Sequence, residues 1–98
     1  MNRTEAISKL RKRADAMRRM GATALYLFGS TARDETSEHS DLDLFIDYDA
    51  ARRFSLIDLV AIKQLLEEEM AVEVDVTTRD SLHPMLKNDI ERSAIRVF

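Results

Sequence analysis

The stretch from Asp41 to Tyr48 reads Asp-Leu-Asp-Leu-Phe-Ile-Asp-Tyr. Acid and apolar residues alternate with the period of a β-strand, whose successive side chains point to opposite faces. Such a strand turns Leu42 and Leu44 to one face and Asp41 and Asp43 to the other. Val72 to Thr77 repeats the pattern as Val, Glu, Val, Asp, Val, Thr. Its valines share one face, and Glu73, Asp75 and Thr77 share the other. The valines and leucines can meet helices, which leaves the carboxylates together on an open face. A third run, Ala24-Leu25-Tyr26-Leu27-Phe28, is stopped by Gly29 and reads as a buried strand.

The remaining segments have helical periodicity. From about Thr4 to Met20, Ile7, Leu10, Ala14, Met17 and Met20 recur at three- and four-residue steps and form one apolar stripe. Asn2 or Thr4 can cap this helix, and Gly21 suits its end. Its other face carries Lys9, Arg11, Lys12, Arg13, Arg18 and Arg19, a basic surface most simply read as solvated. Ser55 with Asp58 three residues on forms a capping box, followed by Leu56, Leu59, Val60, Ile62, Leu66 and Met70. Glu67-Glu68-Glu69 reads as the solvated end of that helix. Asp80 or Ser81 starts a last helical region containing Pro84, and Ile95 to Phe98 closes the chain as a short strand or packed tail.

The order helix, strand, strand, helix, strand, helix predicts an α/β (α+β) domain with a small mixed sheet and helices packed on one face. The 98 residues suit a single domain, 1–98, with a modest core. With no cysteine, a disulfide scaffold, a thiolate zinc site and a cysteine nucleophile are excluded. The net charge of -3 argues against a dedicated duplex-binding protein and against stable direct nucleic-acid binding. No apolar run approaches the length of a membrane span and no signal core opens the chain, so a cytoplasmic location is expected.

The acids carry the chemistry. Residues at i and i+2 on a strand lie roughly 6.5 to 7 Å apart at the backbone. Their carboxylates can lean together onto one cation or onto a pair about 3.5 to 4 Å apart. Gathered without a cation they repel one another. Magnesium is the expected ion, because it takes carboxylate oxygens and shares its shell with substrate phosphates. Glu73, Asp47 and Asp49 read instead as solvated charges. Aspartate is depleted in strands, which weighs against a merely decorative role for the acid pair.

Eleven positions before Asp41 stands Ser30, in the strand-to-turn sequence Phe28-Gly29-Ser30-Thr31. Glycine lets a backbone approach a phosphate closely, and serine adds a hydroxyl donor. Arg33 can meet a phosphate, hold the turn, or pair with Asp34 or Glu35. Ser40, just before the acidic strand, can support the cation site or cap a turn. His39 and His83 have no partners at metal-ligand spacing.

Taken together, Leu27-Phe28-Gly29-Ser30-Thr31-Ala32-Arg33, Ser40-Asp41-Leu42-Asp43-Leu44 and Val74-Asp75-Val76 resemble the DNA polymerase beta-type nucleotidyltransferases. The chain is most similar to their minimal, MNT-type members, the antitoxins of type VII systems paired with HEPN-domain RNA-cleaving toxins. The resemblance implies a polymerase-beta-like nucleotidyltransferase fold. It implies that Gly29 and Ser30, with Arg33 and Ser40, bind a nucleoside triphosphate. It also implies that Asp41, Asp43 and Asp75 bind two magnesium ions. The implied reaction moves AMP from ATP to a hydroxyl, a tyrosine of the HEPN toxin, and thereby silences the toxin. One departure is plain: the family carries glycine after the arginine, and this chain carries Asp34. Two further readings are a non-catalytic antitoxin acting by binding alone, and an enzyme modifying a small molecule as aminoglycoside nucleotidyltransferases do.

Overall fold

The computed structural model describes residues 2–33 and 41–98. Asn2 opens the fold as a helix cap, its side chain accepting a hydrogen bond from the Glu5 amide at 2.8 Å. The expected first helix is two helices, α1 (Arg3–Arg11) and α2 (Ala14–Arg19). The break falls at Lys12 and Arg13, where no glycine or proline marks it. It accompanies two long-range contacts. Arg13 pairs with Glu69 at 2.9 Å, and Arg11 Nε donates to the Val97 carbonyl at 3.0 Å. Ala6, Leu10 and Met17 are buried, so the apolar stripe carries through the break.

Gly21, at φ +110°, turns the chain into β1 (Ala22–Phe28). A four-residue helix, α3 (Gly29–Ala32), follows directly. β2 (Leu42–Tyr48) then leads to α4 (Leu56–Met70), whose Ser55–Asp58 capping box is complete. Asp58 Oδ2 accepts from the Ser55 amide at 2.9 Å, and Ser55 Oγ accepts from the Asp58 amide at 3.4 Å. Ile62, Leu66 and Met70 face inward and are buried, each contributing about 1.5–3 kcal/mol of apolar transfer. The glutamates at its end are less solvated than the sequence suggests. Glu67 Oε2 accepts from the Val74 amide at 3.2 Å, and Glu69 holds Arg13.

β3 (Val74–Thr78) is followed by a 3₁₀ turn (Arg79–Ser81) and by α5 (Lys87–Ser93), so the last helical region is interrupted around Pro84. The tail ends in β4 (Ile95–Arg96), and the Val97 N–H donates a further hydrogen bond to the Leu25 carbonyl at 2.8 Å.

The sheet order is β3-β2-β1-β4. β1 runs antiparallel to both β2 and β4, while β2 and β3 are parallel and joined through α4. The sheet is therefore mixed, as the order of elements predicts. Register partners share a face. Leu25, Leu27, Leu42, Leu44, Ile46, Val74 and Val76 lie on the face packed against α1, α2 and α4. The opposite face carries Phe28, Tyr26, Asp43, Phe45, Asp47, Asp75 and Thr77. Among the described residues no helix is long and apolar enough to cross a membrane.

Candidate active site

Asp43 and Asp75 are direct register partners across the parallel β2–β3 pair, and Phe28 is the partner of Asp43 on the other side. The strand period thus brings together two acids that are remote in the chain. Asp41 precedes β2 by one residue and is exposed, as is Asp75, while Asp43 is half-buried.

The turn after β1 closes on the same point. Gly29 has φ +75°, a conformation that side-chain-bearing residues rarely adopt. A Cβ placed on Gly29 would collide with the Asp43 carboxylate oxygen Oδ2. Glycine is therefore required twice, for the backbone angle and for the approach of the turn to the acid. Ser30 and Arg33 stand on the same short helical turn, α3 and its C-cap. Arg3 Nη1 donates to the Ala32 carbonyl at 3.3 Å, which ties the start of α1 to this turn. Ser40 lies outside the described residues, and so does Asp34.

The electrostatics of the cluster are those of crowded like charges. The Asp43 carboxyl is held above its ordinary pKa by burial first, then by Asp75 and by Asp41; Arg33 pulls it the other way. Among the described residues none of the three carboxylates forms an ion pair. Nor is any group of three or more acidic or histidine side chains among them already arranged to hold a metal ion. The donor set nevertheless fits a hard divalent cation, since it offers carboxylate oxygens whose mutual repulsion such an ion relieves.

Two features escape the sequence. Thr31, 1 % exposed, keeps a buried hydroxyl with no hydrogen-bond partner among the described residues, although it looks like an ordinary turn residue. Asp47, read as a solvated charge, is bound by Arg79 through two hydrogen bonds of 2.7 and 3.0 Å. Arg79 also donates to Glu91 of α5 at 2.7 Å, and its guanidinium lies 4.8 Å from the Tyr26 ring centroid and 5.0 Å from that of Phe45. Those two rings are stacked at 4.8 Å. No spacing rule links residues 47, 79 and 91, so only the fold brings them together.

Known proteins share this arrangement of elements. Residues 7–97 match the family model described as nucleotidyltransferase domain. A candidate protein adenylyltransferase of Methanocaldococcus jannaschii is 42% identical over 78 residues, which is 80% of this chain and 82% of that protein. A solved structure assigned as a minimal nucleotidyltransferase superposes with a TM-score of 0.74 at 35% identity, over 97% of this chain and 95% of the other. The chain is also similar in fold to part of a solved complex of a tri-AMPylated Shewanella oneidensis HEPN toxin with its MNT antitoxin. There the TM-score is 0.69 at 18% identity, over 98% of this chain and 71% of that one.

Proposed function

Since this chain belongs to the nucleotidyltransferase domain family and is a nucleotidyltransferase, we propose that it transfers AMP from ATP to a tyrosine hydroxyl of a cognate HEPN-domain toxin in the cytoplasm and so neutralises that toxin. In this reaction the acceptor oxygen forms a bond to the α-phosphorus. The bond from that phosphorus to the bridging oxygen breaks, and pyrophosphate leaves with its electron pair. The acceptor gives up its proton. Such a transfer needs positioning and charge neutralisation more than a special nucleophile.

The single observation that carries the reading is the convergence on Asp43. Asp75 faces it in register, Asp41 adds its charge, and Gly29 closes against its carboxylate. Asp41, Asp43 and Asp75 would hold magnesium, which when bound neutralises triphosphate oxygens and makes a hydroxyl a better nucleophile. Gly29 brings backbone to the phosphates, Ser30 offers a hydroxyl donor, and Arg33 supplies a fixed positive charge beside Asp43. The raised pKa of Asp43 supports this assignment beside the geometry, because acids crowded together on one face, with Arg33 offsetting only part of their repulsion, fit a site that takes a cation with its substrate. The M. jannaschii relative supports a protein acceptor through its name, and the S. oneidensis complex supports a HEPN toxin as that acceptor.

The test is transfer of label from α-labelled ATP, with magnesium, to a co-purified HEPN-domain toxin. Label on a toxin tyrosine is expected from the native chain and none from Asp41→Asn or Asp43→Asn. If those variants still silence the toxin as well as the native chain does, binding alone is the mechanism and the transfer reading is wrong.

A further inference from the structure

The helix α4 is apolar on two sides. Its inward side, Ile62, Leu66 and Met70 with Leu59 and Leu65, packs on the sheet. Its outward side carries Leu56, Ile57, Val60, Ala61 and Gln64, spaced at one-, three- and four-residue steps that keep them in one stripe. Leu56 is 74% exposed, Ile57 80% and Val60 45%. A cleft of about 290 Å³ runs along these residues, and a second of about 200 Å³ lies between Leu56, Phe54, Tyr48 and Thr78. Adjoining large apolar side chains left in water, beside two clefts, mark a contact surface.

The charges around the stripe define what it meets. Arg52 and Arg53 lie just before α4 in the chain and Lys63 three residues after Val60; all three are exposed, and none forms an ion pair among the described residues. Asp58 is occupied by the capping box. Glu67 is turned to the Val74 amide, and Glu68 stands a turn beyond the stripe. A second copy would bring the same cations to the same surface, so a partner that brings carboxylates fits better. The stripe spans about 12 Å of helix, so it forms one part of a wider contact.

We infer that the outward stripe of α4 is the docking surface for the protein acceptor, and that it takes an apolar segment of that protein flanked by carboxylates. This rests on the reading that the acceptor is a HEPN-domain toxin. The stripe and the acids lie on opposite sides of the sheet. They also lie toward opposite ends of the strands, since Tyr48 and Thr78 close β2 and β3 whereas Asp43 and Asp75 stand near their starts. Docking is therefore separable from chemistry. The two clefts receive side chains of the acceptor, and Arg52, Arg53 and Lys63 fix its register.

The experiment uses the full chain, the HEPN-domain toxin produced with it, labelled ATP and magnesium. Ile57→Glu and Val60→Glu should raise the toxin concentration for half-maximal labelling roughly ten-fold or more. The maximal rate and the affinity for ATP should not move. Arg52→Glu with Arg53→Glu should raise that concentration a few-fold and weaken its dependence on salt. Melting curves confirm that the exposed substitutions leave the fold intact. Unchanged toxin affinity in Ile57→Glu overturns the inference. So does light scattering that finds the native chain self-associated and Ile57→Glu monomeric. A native chain that binds the toxin without labelling it, while Ile57→Glu fails to bind, leaves docking in place and removes the transfer reading. A native chain that neither binds nor labels the toxin overturns both.

Discussion

Asp43 and Asp47 stand on the same strand and the same face, one turn of the pleat apart from Phe45, yet they live in opposite circumstances. Asp47 is clasped by Arg79, which also holds Glu91 and covers the Tyr26–Phe45 stack. Asp43 faces Asp75 and Asp41, and its carboxyl resists ionisation. One end of the open face has its charges answered by the protein itself. The other leaves them to be answered from outside. Acid content does not separate the two ends; among the described residues Arg79 clasps Asp47 directly, whereas Arg33 offsets only part of the crowding at Asp43.

The strongest way to break this contrast is to neutralise each end in turn. Asp41→Asn and Asp43→Asn should each lower AMP transfer by on the order of a thousand-fold, the scale of losing an electrostatic stabiliser of the transition state. Asp47→Asn should leave transfer within a few-fold of native, as measured by initial rates at saturating ATP. Equal losses at both ends would abolish the distinction.

Gly29→Ala comes next. The added methyl meets Asp43 and demands φ +75° of an alanine. Transfer should fall about a hundred-fold through misplacement of the turn, and stability should fall by about 1 kcal/mol or more. Denaturant titration beside the rate assay separates the two effects. A fully active Gly29→Ala would show that the turn and the acid need not approach.

Arg79→Ala sharpens the comparison from the other side. It strands Asp47 and Glu91, both about one-third exposed, and uncovers two rings. A loss of roughly 1–3 kcal/mol in unfolding free energy is expected, discounted for solvent screening, with transfer by the remaining folded protein little changed. Loss of transfer at undiminished stability would place Arg79 in the reaction instead.

The smallest effect is in pH. Asp43 has its folded-state pKa raised, so its contribution to stability is fully present below the ordinary carboxylate value and is lost as pH rises through the folded value. Without magnesium, Asp43→Asn should therefore melt above the native chain at neutral pH, and the gap should close as the solution is acidified below about pH 4. Added magnesium should raise the native melting temperature more than that of the variant. A variant that melts lower at neutral pH contradicts the crowding of charge at Asp43.

Much of this site is legible in the residues because strand alternation is a short-range rule. Asp41-Leu42-Asp43-Leu44 assigns faces without any tertiary knowledge, and Val74-Asp75-Val76 does the same. The alignment of Asp75 with Asp43 is another matter, because it depends on strand pairing, which only the resemblance suggests in advance. Apart from the buried Thr31 hydroxyl, the missed features are long-range. Arg13 meets Glu69 at the break in the first helix, Glu67 reaches the Val74 amide, and Arg79 joins two elements at Asp47. Periodicity describes which face a side chain occupies and carries no information on the distant group it meets there.

The parallel pairing of β2 with β3 has a kinetic consequence. Parallel neighbours cannot be joined by a tight turn, so the chain must run through the whole of α4 before Asp75 can stand beside Asp43. Such distant pairings carry a large loop-closure entropy and form slowly. During synthesis the repelling acids stay apart until β3 has left the ribosome. The nascent chain therefore meets their repulsion only when the apolar faces of all three strands are available to oppose it. A fragment that stops short of β3 lacks Asp75, so the proposed three-acid site is a late property of this chain.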